Sequence, residues 1–381
     1  MSQEHELALL LAGTAASREA ADARIAELAR SVDYVLLERI LALQLLLPLA
    51  AKRLEESSAA PAPEAFREAA RLETTRWREL SLAQGAVTLS LLRALDAAGI
   101  PAAPVKGALL AEEIHGDPGL RFSSDIDILV DDSRLDAALA VLREAGYGSS
   151  ADVAWRDGRP HLHHALPPER RGLPSLDLHW RIHWNETELS SGLLARSVPD
   201  PQGGRRLQPA DELLSLLLFF GRNSFYGLRL AADVAASWDR RRAELEPGFL
   251  APVLEARPEL RDVVTASVLL ASRLVGLPCD VLGPRRRPGG RARLAARLAN
   301  WQMVGTEAER TANMVSVDWL LSPPGQWRAF ARRHMFQPSA QLVPRLLHGW
   351  ARTAKFAYRH ARVRWRVRGG AAWCPMPPQH N

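Results

Sequence analysis

Lysine and cysteine are scarce in this chain of 381 residues, and its last 63 positions contain no acidic residue at all. The only lysines are Lys52, Lys106 and Lys355, so arginine supplies almost all the positive charge. The two cysteines, Cys279 and Cys374, make neither a disulfide framework nor a zinc set. Long apolar runs are missing as well. The nearest candidate, residues 40–51, falls short of the roughly 18–20 uncharged residues that span a bilayer. It also carries Gln44 and Pro48, which suits a buried helix. Glu4 and Glu6 precede the first apolar stretch, which does not fit a secretory leader. The expectation is a cytoplasmic protein without a transmembrane segment. What is present is globular material, 47% hydrophobic and 24% charged, in a length that suits one large domain or two ordinary ones.

The net charge of +6 is unevenly spread. Asp318 is the last acidic residue, and eleven basic residues follow it, from Arg328 through Lys355 to Arg368, so the chain before them is net negative. Such a tail offers a surface to phosphate-rich partners such as nucleic acid or anionic lipid, or else forms a solvated arginine-rich helix.

Hydrophobic periodicity divides the chain. Residues 1–98 read as a helical region, with apolar positions at three- and four-residue spacing through Ile25, Leu28, Val32 and Val35. The proline- and serine-rich stretch 57–63 breaks it, and a long amphipathic helix follows from Pro63 to Ala98, with Gly85 inside as a kink or a close packing contact. Residues 99–208 alternate short strands and helices. Strands are expected at 103–106, 125–130, 161–166 and 175–182, with helices at 108–114 and 133–145. Residues 209–318 are helical again, at 211–220, 228–236, 250–275 and 291–303, and residues 319–381 form the basic tail. The fold class expected is α+β, a small mixed sheet with helices flanked by helical regions.

The most informative stretch is Arg121-Phe122-Ser123-Ser124-Asp125-Ile126-Asp127-Ile128-Leu129-Val130. Alternation along a strand puts Asp125 and Asp127 on one face and Ile126 and Ile128 on the other. Paired carboxylates repel and raise each other's pKa unless a cation sits between them, and Mg²⁺ prefers such oxygen ligands. The alternative is that one aspartate caps the next helix and the other is solvated, although Asp131 and Asp132 fit that cap better. In the segment 175–182 the same alternation gathers Asp177, His179 and Arg181 on one face, with Leu176, Leu178, Trp180 and Ile182 opposite. If that strand lies beside the first, three carboxylates can hold one or two Mg²⁺ ions against a triphosphate.

Four segments in order carry a resemblance. Lys106-Gly107-Ala108, the Asp117-Pro118-Gly119-Leu120-Arg121 loop, Ser124-Asp125-Ile126-Asp127 and Leu176-Asp177-Leu178-His179-Trp180 are similar to the uncharacterised nucleotidyltransferase family called NTP-transferase group five. More broadly, the pattern resembles the polymerase-beta-type nucleotidyltransferase superfamily. The resemblance implies a small mixed sheet, Mg²⁺ (with Mn²⁺ as the alternative), and transfer of a nucleoside monophosphate from an NTP with release of pyrophosphate. It makes Asp125 and Asp127 metal ligands, with Asp177 completing the site and taking the proton of the acceptor hydroxyl. Gly107 then lets the backbone approach the triphosphate, and Lys106, with Arg121 or Ser123, meets phosphate oxygens. Ser124 and His179 complete the expected nucleotide-contacting set. The acceptor is open among a protein, tRNA and a small molecule. The broader fold has Gly-Ser where this chain has Gly107-Ala108, which leaves a second reading, a non-catalytic nucleotide-binding or biosynthetic-cluster partner protein.

Other residues keep two readings each. Asp233 matches a recurrent acidic position of the family, or pairs with Arg229 on the same helix face. His161, His163, His164, His179 and His183 could offer zinc ligands, but no cysteine or helical His-x₃-His pair supports zinc. Trp180 and Trp184 read as core or rim aromatics, and Trp155 or Tyr226 as base-stacking candidates.

Overall fold

Pro63 opens the longest helix, because proline tolerates a helix start but not its interior, and the stretch 57–63 separates it from the helices before. The structure, a computed structural model, describes residues 1–148, 162–283, 288–326 and 330. Ahead of the prolines stand α1 (Gln3–Ala12), α2 (Ala15–Ala20), α3 (Asp22–Ala29), α4 (Tyr34–Leu43) and α5 (Leu47–Glu55). Ser2, Thr14 and Asp33 cap α1, α2 and α4 by accepting from backbone N–H groups. The long helix α6 (Glu64–Ala97) ends at Gly99, whose φ of +67° suits glycine. Gly85 is a packing contact, with Leu109 of the next helix lying against it.

The sheet follows in β1 (Ala102–Pro104), α7 (Ala108–His115), β2 (Asp125–Val130), α8 (Leu135–Glu144), β3 (His163–Leu166) and β4 (Ser175–His179). Its order is β1-β2-β4-β3, with β2 and β4 parallel and both outer pairs antiparallel. The α+β expectation holds in this small mixed sheet. Boundaries differ in places, and β1 ends at Pro104 rather than at residue 106. Asp131 caps a 3-10 turn at Asp132–Arg134 before α8 begins, and β4 stops at His179 rather than at Ile182. The Glu186 carboxylate accepts from the Ile182 and His183 N–H groups and so takes the donor a longer strand would need.

Then come α9 (Leu189–Arg196), a small hairpin β5 (Val198–Pro199) and β6 (Arg205–Arg206), α10 (Pro209–Arg222), α11 (Arg229–Arg241), α12 (Ala251–Ala256), α13 (Arg261–Val275), α14 (Gly290–Leu298) and α15 (Glu307–Leu321). The continuous helix expected over 250–275 is two helices, because Pro258 follows Arg257 and a 3-10 turn at Pro258–Leu260 separates them. The helix expected to Met303 ends at Leu298.

Two apolar clusters form the core. One runs from Leu7 on α1 through α10, α11 and α13 to Leu321 on α15. The other lies between one face of the sheet, α8 and the C-terminal half of α6. There Ile128, Leu176 and Leu178 are fully buried, each contributing about 1.5–3 kcal/mol. The sheet's other face carries the polar residues and meets α10. No helix among the described residues is long and apolar enough to cross a membrane. The basic tail from Arg328 to Arg368, His161, Trp155 and residues 284–287 lie outside the described residues.

Candidate active site

Strand register puts two carboxylates in direct opposition. Asp127 on β2 lies across from Asp177 on the parallel neighbour β4, and Asp125 stands two residues earlier on the same face. Like charges opposite one another on adjacent strands repel. Lys106, just after β1, offsets part of this. Its Nζ is in hydrogen-bond contact with Asp127 Oδ2 and lies 3.9 Å from Asp125 Oδ2. The Phe219 ring of α10 covers the ammonium, with the centroid 5.6 Å away.

Two histidines hold the other oxygens. His179 Nε2 lies 2.8 Å from Asp127 Oδ1, and because a carboxylate only accepts, that nitrogen carries the proton. His163 reaches the site from β3, where it pairs with His179. Arg222 Nη2 donates to His163 Nδ1 at 2.8 Å, and an arginine only donates. The His163 proton is therefore on Nε2, which faces Asp177 Oδ2 at 3.5 Å. The Arg222 guanidinium also packs against the rings of Phe219 and Trp184, at 5.6 and 5.8 Å.

The electrostatics follow from burial and these contacts. Burial pushes the Asp127 carboxyl up, but Lys106 and the His179 hydrogen bond outweigh it and hold the group well below the usual carboxylate range. Asp177 has no such cation in contact among the described residues, and burial followed by the charges of Asp127 and Asp125 lifts its carboxyl to about 6. Burial lowers His179 to about 4, and burial together with Arg222 lowers His163 to about 2, so both imidazoles are neutral near pH 7.

The donor set fits a divalent cation. Asp127, Asp177 and His179 offer ligand atoms that all lie within 4.8 Å of one another. Three carboxylates match a hard, oxygen-preferring ion, with the His179 Nε2–H turned to Asp127, and the raised Asp177 carboxyl marks negative charge that Lys106 leaves uncompensated. Of the expected ligand trio, Asp127 and Asp177 are gathered here with His179. Asp125 sits at the solvent side, where Ser124 Oγ donates to its Oδ1 at 3.1 Å. Arg181 is elsewhere, lining a polar cavity with Asp131, Asp132 and Glu188.

The loop ahead of β2 is anchored to the helices on both sides of it. Asp117 accepts from Arg78 of α6 through both oxygens, at 3.1 and 2.5 Å, and from the Gly119 N–H at 2.8 Å. Gly119 lies so close to α6 that an added Cβ would stand 2.6 Å from the Thr74 carbonyl oxygen. Gly119→Ala is accordingly expected to cost about 1–3 kcal/mol in urea unfolding, and a change under 0.5 kcal/mol would contradict this packing. The anchored loop delivers Arg121, 3% exposed, whose Nε is 3.0 Å from both oxygens of Asp233 on α11. Arg121 Nη1 reaches the Gly107 carbonyl at 3.4 Å. Asp233 thus forms an ion pair, with Arg121 in contact, while Arg229 donates to the Phe122 carbonyl. Ser123 Oγ donates to the Asp125 carbonyl at 3.0 Å and is buried.

Gly107 has φ +99° and ψ −155°, a conformation open essentially to glycine alone, and it opens α7. Gly107→Ala is expected to lose about 1–3 kcal/mol of stability through backbone strain, since only ordinary contacts at 3.7 Å surround an added Cβ. A urea titration indistinguishable from wild type would remove the case for a required glycine.

Arg222 and the role of His163 were not read from the sequence. The one signal for Arg222 is its place just after the apolar run 216–220 of α10, where a charged side chain stands out.

Carboxylates opposed across a small mixed sheet, with a Lys-Gly turn opening a helix beside them, define a protein of the nucleotidyltransferase class. The family model described as uncharacterised nucleotidyltransferase matches residues 31–276, well over half of the chain, and the chain belongs to that family. It is a family of enzymes that transfer phosphorus-containing groups. No curated protein and no solved structure matches the chain.

Proposed function

We propose that this protein is an Mg²⁺-dependent enzyme that moves a nucleoside monophosphate from an NTP to an acceptor hydroxyl and releases pyrophosphate. The observation that carries the reading is the in-register opposition of Asp127 and Asp177, with Asp125 alongside and Lys106 as the cation in contact. Asp125, Asp127 and Asp177 would hold the metal, with His179 orienting Asp127. When bound, such an ion neutralises phosphate charge and polarises the reacting phosphoryl group.

The chain's own groups divide the remaining work. Asp177 takes the proton of the acceptor hydroxyl as its oxygen attacks the α-phosphorus and the bond to the bridging oxygen breaks. Lys106 and Arg222 place positive charge beside the triphosphate, and Gly107 with the first turn of α7 lets backbone N–H groups approach it. Arg121 acts through Gly107, whose carbonyl it holds from behind. In this reading residues 99–208 supply the catalytic strands, residues 209–318 add Phe219 and Arg222, and the basic residues beyond 319 favour a phosphate-bearing acceptor such as tRNA.

The test incubates purified protein with each common NTP and Mg²⁺ or Mn²⁺, plus cell extract as acceptor source, and follows pyrophosphate and labelled nucleotide. Metal-dependent pyrophosphate with label on one species supports the reading and identifies the acceptor. NTP binding without pyrophosphate under every condition points to a nucleotide-binding partner protein, and no binding at all removes the site.

A further inference from the structure

Away from the carboxylates, a cavity of 290 Å³ lies where α2, α5, α7 and α11 meet. Its wall includes Arg18, Lys52, Arg53, Arg240 and His115, with Glu56 and Asp239 as its carboxylates, and it shares no residue with Lys106, Asp125, Asp127 or Asp177. The charges do not cancel. Asp239 accepts from the Ala15 N–H at 2.7 Å and lies 3.9 Å from Arg18. Glu56 lies 3.8 Å from Lys52, one helical turn away. Among the described residues, that leaves Arg53 and Arg240 without a carboxylate within ion-pair distance.

Arg53 is the unusual one. It is 7% exposed, and its Nη1 donates to the Leu11 carbonyl at 2.7 Å, yet no carboxylate among the described residues is within ion-pair distance. Guanidinium groups are almost never so buried unless an anion compensates them. Burial, with Arg18 adding to it, lowers Arg53 to about 9 against the opposing charges of Asp239, Glu56 and Asp233. An apolar residue would fill the same helix position at no such cost. His115, pushed down by burial, brings no positive charge to the wall near pH 7.

We propose that this cavity is a second anion site, built to take the phosphoryl group of a small phosphorylated molecule. Two unpaired cations match a dianion better than a monocarboxylate, and the planar fork of Arg53 suits two phosphate oxygens. The cavity's volume admits such a group with a short organic remainder, not a whole nucleoside triphosphate. The site does not depend on the transfer reaction.

Inorganic phosphate is the probe, titrated into the full chain by calorimetry at constant ionic strength with chloride as balancing salt. Wild type is expected to bind, with affinity at least tenfold weaker in Arg53→Met and severalfold weaker in Arg240→Gln. Arg240 is exposed, so its variant carries the test if Arg53→Met fails to fold. Equal affinity in wild type and Arg240→Gln, or complete loss of phosphate binding in Lys106→Ala, would overturn the proposal, the latter by placing the phosphate at the carboxylates. Malonate binding tighter than phosphate would overturn the phosphoryl assignment.

Discussion

Asp127→Asn is expected to lower the rate of nucleotide transfer by on the order of 10³ while leaving the fold in place. Charge stabilisation at a metal-assisted centre is worth several kcal/mol, and each 1.36 kcal/mol is tenfold in rate. The carboxylate is 1% exposed, with one oxygen on His179 and the other on Lys106. Asparagine keeps the shape and can still accept from His179, so the variant removes charge more than structure. Circular dichroism should therefore stay close to wild type and urea unfolding should show only the loss of the Lys106 ion pair, while label incorporation falls. A variant that retains more than a tenth of the wild-type rate would show that Asp127 is not a ligand of the reacting centre. Asp125→Asn is the informative companion, because Asp125 stands at the solvent edge of the same face.

The largest stability effect is expected at Asp233. Its replacement by asparagine leaves Arg121 buried without the carboxylate that touches it, and breaking one side of a buried pair costs about 3–5 kcal/mol. The midpoint of urea unfolding at pH 7 reads this directly, and a loss under 1 kcal/mol would mean that the pair is not a structural clamp. The pair Arg121→Met with Asp233→Leu removes both charges and is expected to recover most of the stability. NTP binding should stay weak in the double variant, because the Gly107 carbonyl has lost its donor.

The pH dependence has a definite sign. Burial raises the Asp233 carboxyl, but Arg121 and His115 outweigh it and bring it to about 2, below its ordinary 3.8. A depressed acid stabilises the fold above its unfolded pKa and loses that contribution as pH falls through its folded one. Wild type should therefore lose stability between about pH 4 and pH 2 more steeply than Asp233→Asn. Parallel acid-unfolding curves for the two proteins would contradict the linkage.

Much of the site could be read along single strands. Asp125 and Asp127 on one face, Ile126 and Ile128 on the other, and the same division between Asp177 and Leu178 all follow from a two-residue period that needs no knowledge of neighbours. The proline at the start of α6 and the Asp131 cap are equally local. The helix expected over 250–275 was split by Pro258, a local signal, whereas β4 was cut short by a competing partner, the Glu186 side chain, which took the N–H groups that would have extended it. Arg121 shows the same limit. Its place in a phosphate-like motif suggested a substrate contact, yet its nearest charge is Asp233, 112 positions further along the chain.

The sequence by itself determined which residues stand on each face of the strands, where the longest helix starts, and that the carboxylates come in a pair and a single. Only the tertiary structure decided that β2 and β4 lie parallel in a register that sets Asp127 opposite Asp177. It also decided that Lys106 and His179 divide the oxygens of Asp127, and that Arg222 reaches Asp177 through His163. The reason is physical: backbone alternation and capping act within a few residues. The choice of partner for a buried charge is made when the helices and sheet close on one another, and only then does each group lose the water that had served it equally well.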